Sequence, residues 1–438
     1  MGTDAFAGNT VVIDLGLNRG EPETYASPGR PTVSGWFAPL MVGLLVLISS
    51  VASAAPPPPA LTPLLSLRVG PADSFALTED RELLAQTDGT ISAYNLADGA
   101  LRWQSGSERP SYRLRTANEL VLMRPWTYGP GEPSTTALSL TTGLPQWRHE
   151  GTMMSLEGSP ALLAVSAVRS GGTNRRVQGT VESINPRTGA ARWRVTIPST
   201  AVLLGIPGPA DEGPRMMLLH DDRVAVVHDL STGAELTRTE LPPANYGPEN
   251  PTISGGLILL RHLGRYGPDV TAYDPVTLRQ VWERSAERAF DVRPCGPLAC
   301  LTSPDGVRGI DPANGQLRWY RKGWRGVEWR NGMMLAYVTP AGVSEPVGIV
   351  DPLTAEIQVK LDGWRLVGGA GGDHLLVTRA VVAGARTMVA VAGPAVSSAP
   401  LPLAELPAGT GDCQAVPNRL VCRSTSGELQ VWAYRKKV

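Results

Sequence analysis

A short turn recurs along the chain at intervals of roughly forty residues, and it limits the possible folds more than any other feature. Four copies share a glycine and a tryptophan at fixed offsets after a small polar residue, at residues 94–103, 140–147, 184–193 and 310–319. Weaker copies lie at residues 228–237, 273–282 and 350–359. Tandem units of this length are typical of β-propellers and other repeat arrays.

Each copy has the composition of a tight connection between two strands. A small polar side chain opens the turn by accepting a hydrogen bond from the backbone two residues on. Four positions later, glycine supplies the left-handed conformation that closes it. After four more positions, a tryptophan falls on one face of the outgoing strand, where we expect it to pack between neighbouring sheets. The predicted repeat-turn residues are Asn95, Gly99, Trp103, Gly143, Trp147, Asn185, Gly189, Trp193, Asp229, Gly233, Asp274, Trp282, Asp311, Gly315, Trp319 and Asp351.

Two further apolar bursts precede each turn, so each unit contains four strands. The last unit, Cys413–Tyr434, supplies three strands, and Leu64–Arg68 near the start supplies a spare one. Pairing these two segments would close the ring and leave no open edge. The sequence therefore predicts an all-β fold, a single closed β-propeller of four-stranded blades over residues 64–434, with about eight and possibly nine blades.

An uncharged, mostly apolar stretch at residues 35–55 precedes the repeats and is long enough to span a bilayer as a helix. We interpret it as a signal anchor, with residues 1–34 as a disordered cytoplasmic tail and 56–63 as a Pro-rich linker. The predicted location is the cell membrane, single-pass, with the propeller on the extracellular side. The alternative is a signal peptide cleaved after Ala54, which would give a secreted protein.

The four cysteines form two close pairs, Cys295 with Cys300 and Cys413 with Cys422. Two-residue turns at Pro297–Leu298 and Pro417–Asn418 would place each pair of sulfurs opposite one another across a hairpin. The spacing does not match zinc ribbons, and no histidine lies close to either pair. We therefore predict two disulfides, which are expected only in an oxidising compartment.

Charge and histidine placement argue against two classes of function. The 40 basic and 40 acidic residues balance, which gives no electrostatic footprint for nucleic acid. The histidines are scattered, with no Gly-x-Ser-x-Gly elbow or His-x-x-x-His pair near them. They are His149, His220, His228, His262 and His374. We expect no catalytic residue, no metal and no cofactor.

The repeat turns, for example Asn185–Trp193, resemble the PQQ-like repeat of quinoprotein dehydrogenases and of the propeller lipoproteins of outer-membrane protein assembly. With the apolar stretch, the chain is also similar to membrane-anchored propellers of high-GC Gram-positive bacteria, the actinobacterial type. The resemblance implies a propeller and carries little about function. Quinoprotein dehydrogenases typically have a vicinal cysteine pair, calcium-binding acids and a tryptophan that stacks on the quinone, whereas this chain has no adjacent cysteines.

These observations predict a non-enzymatic, monomeric scaffold that binds a protein, a peptide or a cell-envelope polymer and touches the membrane only through its N-terminal helix. Long connections on a rigid scaffold often carry function. The candidates are Pro125–Ser134, Val168–Arg176 and Pro242–Pro251. The alternative is a small-ligand sensor or a PQQ-type quinoprotein enzyme with its ligand at the propeller axis.

Overall fold

The fold is described from a computed structural model of the chain. The described residues are 36, 39–44, 60–70, 73–78, 82–106, 111–125, 134–156, 159–168, 178–198, 201–208, 213–220, 223–241, 249–339, 345–369, 373–381, 386–407 and 409–435. The chain divides into two compact units, Met1–Pro58 and Pro59–Val438.

In the first unit, the described residues are few. Residues 39–44 form a short helix, and the amide of Leu40 donates to the carbonyl of Trp36 at 3.3 Å. No helix within the described residues has both the length and the apolar character needed to cross a membrane. The predicted tail at 1–34 and most of the predicted membrane helix at 35–55 lie outside the described residues, so the anchor stays a prediction.

In the second unit, the described residues form 36 strands. The first nine are β1 Leu61–Arg68, β2 Phe75–Leu77, β3 Glu82–Thr87, β4 Thr90–Asn95, β5 Leu101–Gly106, β6 Ser111–Ala117, β7 Leu120–Pro125, β8 Ser134–Ser139 and β9 Pro145–Glu150. Next come β10 Thr152–Ser155, β11 Leu162–Val168, β12 Gln178–Ile184, β13 Ala191–Pro198, β14 Val202–Ile206, β15 Arg215–Leu219, β16 Val224–Asp229, β17 Glu235–Glu240 and β18 Glu249–Ser254. Then follow β19 Leu257–Leu263, β20 Pro268–Tyr273, β21 Gln280–Ser285, β22 Asp291–Cys295, β23 Leu298–Ser303, β24 Gly306–Ile310, β25 Leu317–Lys322, β26 Gly326–Arg330 and β27 Met333–Tyr337. The last nine are β28 Gly348–Val350, β29 Ile357–Lys360, β30 Arg365–Leu366, β31 Leu375–Val381, β32 Arg386–Gly393, β33 Ser397–Leu406, β34 Thr410–Val416, β35 Arg419–Ser424 and β36 Glu428–Tyr434.

These strands form nine antiparallel sheets of four strands each, so the propeller has nine blades, the larger of the two predicted counts. Blades 1 to 8 are built from consecutive strands, β2–β5 through β30–β33. Blade 8 lacks the repeat turn. Its third and fourth strands are joined after Gly393 by a different connection, in which the amide of Val396 donates to the carbonyl of Gly393.

Blade 9 closes the ring, as the sequence predicted. Its order is β34-β35-β36-β1, so the N-terminal strand is the outermost strand of the last blade. Pairing begins with Leu61 opposite Tyr434, and residues 61–63 are therefore strand, although the sequence placed them in the linker. The closure satisfies the exposed edge of β36 with the first strand of the chain.

Nine clusters of buried side chains lie between neighbouring blades and form the core. One of them joins blade 9 to blade 1 through Val431 and Leu83. The first strands of neighbouring blades touch each other, as β2 does with β6 and β34, so they are the inner strands around the axis. Burial on both faces explains why second strands such as β15, β23 and β27 are almost entirely apolar.

Five blade interfaces share one tryptophan contact. In each, the indole N–H of the outer strand donates to a carbonyl in the repeat turn of the next blade at 2.7–3.1 Å. At four of the five the ring also covers the glycine of that turn, so a Cβ on Gly189 would lie 2.6 Å from Trp147, whereas the turn that Trp319 contacts has Ala355 at this position. The donor and acceptor pairs are Trp103 and Leu140, Trp147 and Pro186, Trp193 and Leu230, Trp282 and Pro312, and Trp319 and Pro352.

Both predicted disulfides are present, but one predicted turn is wrong. Cys295 and Cys300 are bridged with their Cα atoms 5.8 Å apart, and Cys413 and Cys422 with theirs 4.0 Å apart. Cys413 lies directly opposite Cys422 around the predicted turn at Pro417–Asn418. In blade 6, however, Cys295 pairs with Leu298. The turn there is 296–297 rather than Pro297–Leu298, because Gly296 supplies the left-handed residue, and the bridge runs diagonally.

Candidate functional site

Because the strands within each blade are antiparallel, every connection between strands lies at one of the two ends of the propeller. The repeat turns, which join third and fourth strands, lie at the same end as the connections between first and second strands. We call this end the turn face. The other end, the loop face, carries the connections between second and third strands and those between blades, such as 304–305 and 323–325.

The three long connections proposed from the sequence all leave strands at the loop face. Pro125–Ser134 joins β7 to β8, Val168–Arg176 follows β11, and Pro242–Pro251 leads into β18. Most of these residues lie outside the described part of the chain. The strand ends that they join belong to blades 2, 3, 4 and 5.

A cleft of about 450 Å³ opens on the loop face between blades 6 and 7. Phe290 stands on one side with half of its surface exposed, and Pro304 supplies further apolar surface. Arg293 and Arg325 contribute guanidinium groups to the same cleft. This combination of an aromatic ring with arginines is typical of protein interfaces.

A second cleft on the loop face, of about 510 Å³, lies between blades 8 and 9. Arg365 pairs with Glu345 at 3.0 Å across its rim. Arg379 lies over the ring of Trp364, 4.5 Å from its centre. The Cys413–Cys422 disulfide borders this cleft through Cys413, which keeps the start of the inner strand β34 fixed against β35.

Two further clefts follow the inner strands of blades 9, 1 and 2 and share Gln414. The one toward the loop face, about 350 Å³, contains Arg115 and Arg423. The one toward the turn face, about 460 Å³, has Glu119 as its charged side chain. Gly368 of blade 8 pairs with Gln414 in parallel and covers part of the inner edge of β34. These two clefts are where an axial ligand would sit.

One aromatic side chain stands almost free in solvent at the loop face. Tyr266, in the connection between β19 and β20, is 92% exposed, and Arg265 lies 5.4 Å from the centre of its ring. Large exposed aromatics of this kind often anchor partners.

Histidines take part in three polar groups, none of which exposes a reactive hydroxyl. His149 and Arg194 both contact the buried Glu182, at 3.1 and 2.6 Å, and join blade 2 to blade 3. In blade 5, His262 Nε2 donates to the hydroxyl of Thr271, which donates to Glu283. Thr271 is fully buried.

The third group lies between blades 8 and 9. His374 contacts Asp373 at 2.8 Å and the hydroxyl of Tyr434 at 3.3 Å. Burial raises the pKa of Tyr434, which is 1% exposed, so its hydroxyl stays protonated and out of reach of a substrate. His228 Nδ1 lies 3.0 Å from the carbonyl of Gly233 within its repeat turn. Among the described residues, no three metal-ligating side chains come together.

The predicted repeat-turn residues lie in seven separate blades and do not gather into one site. Their acids engage their own turns: Asp274 Oδ1, for example, accepts from the amides of Val276 and Thr277 at 3.1 and 2.7 Å. The clefts of the loop face were not predicted from the sequence. In the cleft between blades 6 and 7, Arg293 and Arg325 come from different blades, so only the packing of these blades brings them together.

Comparison with protein families matched residues 177–325 to a family model described as outer membrane protein assembly factor BamB, of the PQQ_2 type. This stretch runs from blade 3 to the residue before β26. No curated protein matched the chain.

Several solved structures are similar in fold. BamB from Moraxella catarrhalis is 15% identical, with 86% of this chain and 99% of that chain covered and a TM-score of 0.39. The designed protein Ika8 is 13% identical, with coverages of 85% and 98% and a TM-score of 0.42. The quinohemoprotein alcohol dehydrogenase ADHIIG from Pseudomonas putida HK5 is 12% identical, with coverages of 64% and 71% and a TM-score of 0.38. These values are too low to transfer a function from any of them.

Proposed function

Because this chain is a β-propeller built from PQQ-like repeats, we propose that it is a non-enzymatic scaffold that binds another protein or peptide at its loop face. One observation carries the proposal: the loop face combines arginine-bearing clefts with the exposed rings of Phe290 and Tyr266. Aromatic and arginine side chains dominate the binding energy of many interfaces. The description of the matched family as an assembly factor is consistent with action on other proteins.

The proposal includes a location outside the cytoplasm, tethered through residues 35–55. The two disulfides support this location, because such bonds persist in oxidising compartments. Fractionation followed by protease treatment of intact cells tests it: we expect the propeller to be digested while it remains membrane-bound. Release of the chain into the medium would instead favour cleavage after Ala54.

A photo-crosslinking amino acid placed at exposed positions tests the scaffold function. Tyr266 on the loop face and Leu144 on the turn face are both largely exposed, at 92% and 62%, and make a matched pair. We expect the probe at position 266 to capture a discrete partner in native cells and the probe at 144 to capture none. Equal capture at both positions, or none at 266, would contradict binding at the loop face.

A small molecule at the axis is the second candidate, favoured by the two clefts that meet at Gln414. Adding pyrroloquinoline quinone and calcium to the purified chain tests it. A bound ligand would raise the melting temperature, and the shift would grow with the logarithm of the ligand concentration relative to Kd. We expect no change in the absorption spectrum of the quinone and no thermal shift.

A further inference from the structure

The cleft between blades 6 and 7 has the chemistry to recognise one class of partner. We propose that it binds an acidic peptide segment, with a carboxylate facing Arg325 and an adjacent apolar side chain packing on Phe290. This inference rests on the proposed scaffold function and deepens it, since it names the kind of segment that the partner presents.

The charges around the cleft leave cations available. The charged residues that line the cleft are Arg293, Arg325 and Asp291. The chain segments next to these residues carry Arg288, Arg308, Lys322, Glu287 and Asp305. Each acid already has an arginine partner: Asp291 lies 2.5 Å from Arg293, Asp305 lies 3.3 Å from Arg288, and Glu287 lies 2.6 Å from Arg308. Within the described residues, Arg325 and Lys322 have no carboxylate within ion-pair distance.

Arg325 is held in position without being neutralised. Its guanidinium donates to the carbonyl of Pro304, a neutral acceptor on the far side of the cleft. Its own amide donates to the carbonyl of Tyr337 at 2.7 Å, which fixes the backbone next to β26. A guanidinium has five donors, so those not used by Pro304 can bind a carboxylate. A bidentate pair of this kind is among the stronger hydrogen-bonded contacts.

The backbone keeps Phe290 at the surface. Glu287 and Arg288 both adopt left-handed conformations, with φ of 42° and 70°, which is unusual for two successive residues other than glycine. Ala286 and Ala289 on either side are buried, and the amide of Phe290 donates to the carbonyl of Thr302 at 2.9 Å. The ring is therefore half-exposed in a fixed position. Backbone strain of this kind tends to persist at functional sites.

The lining favours a peptide over a phosphate-rich polymer. Phe290 and Pro304 offer apolar surface that a sugar-phosphate chain would leave wet, whereas a peptide can cover it with an aliphatic or aromatic side chain. A volume of about 450 Å³ is large enough for one or two side chains.

Fluorescence anisotropy with the purified full-length chain tests this assignment. The probe is the labelled peptide Ala-Leu-Glu-Phe-Asp-Leu-Ala, blocked with an amide at its C-terminus, and its analogue has Gln and Asn in place of the two acids. We expect the acidic peptide to bind at least about tenfold more tightly than the analogue. Arg325→Glu should weaken the acidic peptide by at least about tenfold and Phe290→Ala severalfold. Arg187→Glu, in the repeat turn of blade 3, is the control and should change nothing.

The outcomes separate the competing explanations. Equal binding of the two peptides, or unchanged binding after Arg325→Glu, would overturn the inference. Displacement of the peptide by inorganic polyphosphate at the same molar concentration would assign the cleft to a phosphate polymer instead. If Arg325→Glu lowers the melting temperature, the test uses Arg325→Gln in its place, together with the acidic peptide and its neutral analogue. Continued crosslinking from position 266 alongside failed peptide binding would reject this inference and leave the scaffold function standing.

Discussion

Five of the nine interfaces between blades differ in their packing from the interface between blades 4 and 5, and the difference shows how the chain balances side-chain volume. At five interfaces a tryptophan on the outer strand covers the next repeat turn, as Trp193 covers Gly233. Between blades 4 and 5 the equivalent outer-strand residue is Thr237, and the turn position that would be glycine is Leu278, which is 3% exposed. The leucine occupies the space that the indole fills elsewhere.

A third position varies together with these two. Each tryptophan lies opposite a small residue on the neighbouring strand, namely Ala93, Ala137, Ser183, Ala272 and Gly309. Thr237 lies opposite Val227, and in blade 7 Val359 lies opposite Ile349. A Cβ on Gly309 would approach Trp319 to 2.3 Å. Large and small side chains thus alternate across the interface, so that these interfaces reach close packing by one of two solutions.

Loss of a tryptophan should have the largest effect. Trp282→Ala removes a 9%-exposed ring and its hydrogen bond to Pro312, and leaves a cavity beside Gly315. We expect the free energy of unfolding to fall by about 3 to 5 kcal/mol. Urea denaturation followed by tryptophan fluorescence and circular dichroism measures it. Thr237→Ala, at the same register position, is the control, and a comparable loss there would contradict the distinction between the two types of interface.

Converting one type of interface into the other tests the volume balance. Thr237→Trp alone should destabilise the protein by overpacking the interface. Val227→Ala alone and Leu278→Gly alone should each leave a cavity and lower the free energy of unfolding by about 1 to 4 kcal/mol. The triple variant should be more stable, by more than about 1 kcal/mol, than the sum of the three single losses predicts, because the indole then meets two small neighbours. Simple additivity in the denaturation midpoints would show that the three positions do not share one space.

The sequence predicted the propeller because its repeat turn depends on local rules. A polar side chain, a left-handed residue and an outgoing tryptophan specify one turn wherever they occur, and Leu278 and Ala355 adopt the left-handed conformation even without glycine, with φ of 52° and 57°. Ring closure also followed from counting strands. The blade count stayed open between eight and nine because β30 has only two residues and blade 8 replaces the repeat turn. The loop-face clefts depend on which blades become neighbours, and no local sequence pattern predicts this.

Removing the disulfides compares an interface of the tryptophan type with the closing blade. Cys295–Cys300 lies in the core between blades 6 and 7, next to Trp319, whereas Cys413–Cys422 secures blade 9, which has no repeat turn. Replacing either pair with serine should cost about 2 to 3 kcal/mol in the chain-entropy model. We expect only the Cys413→Ser and Cys422→Ser double variant to speed hydrogen exchange in β1 and β36. Faster exchange in β1 and β36 of the Cys295→Ser and Cys300→Ser variant would contradict the expectation that each disulfide stabilises only its own blade.

Acidification should give the smallest effect, and it separates turns opened by aspartate from those opened by asparagine. The hydroxyl of Ser231 lowers the pKa of Asp229, the amide of Thr277 lowers that of Asp274, and the guanidinium of Arg318 lowers that of Asp311. Since these pKa values are lower in the folded chain than in the unfolded one, the carboxylates stabilise their turns above the ordinary aspartate value, and this stabilisation is lost as pH falls through the folded values. At Asn95 and Asn185 the side chain that opens the turn is an amide, which does not protonate in this range. Amide exchange of Ser231, Val276 and Ala313, corrected for the intrinsic pH dependence and compared with Ala97 and Arg187, should therefore lose protection selectively below about pH 4. Parallel loss at all five amides would mean that the whole propeller opens in acid and that the turns do not respond one by one.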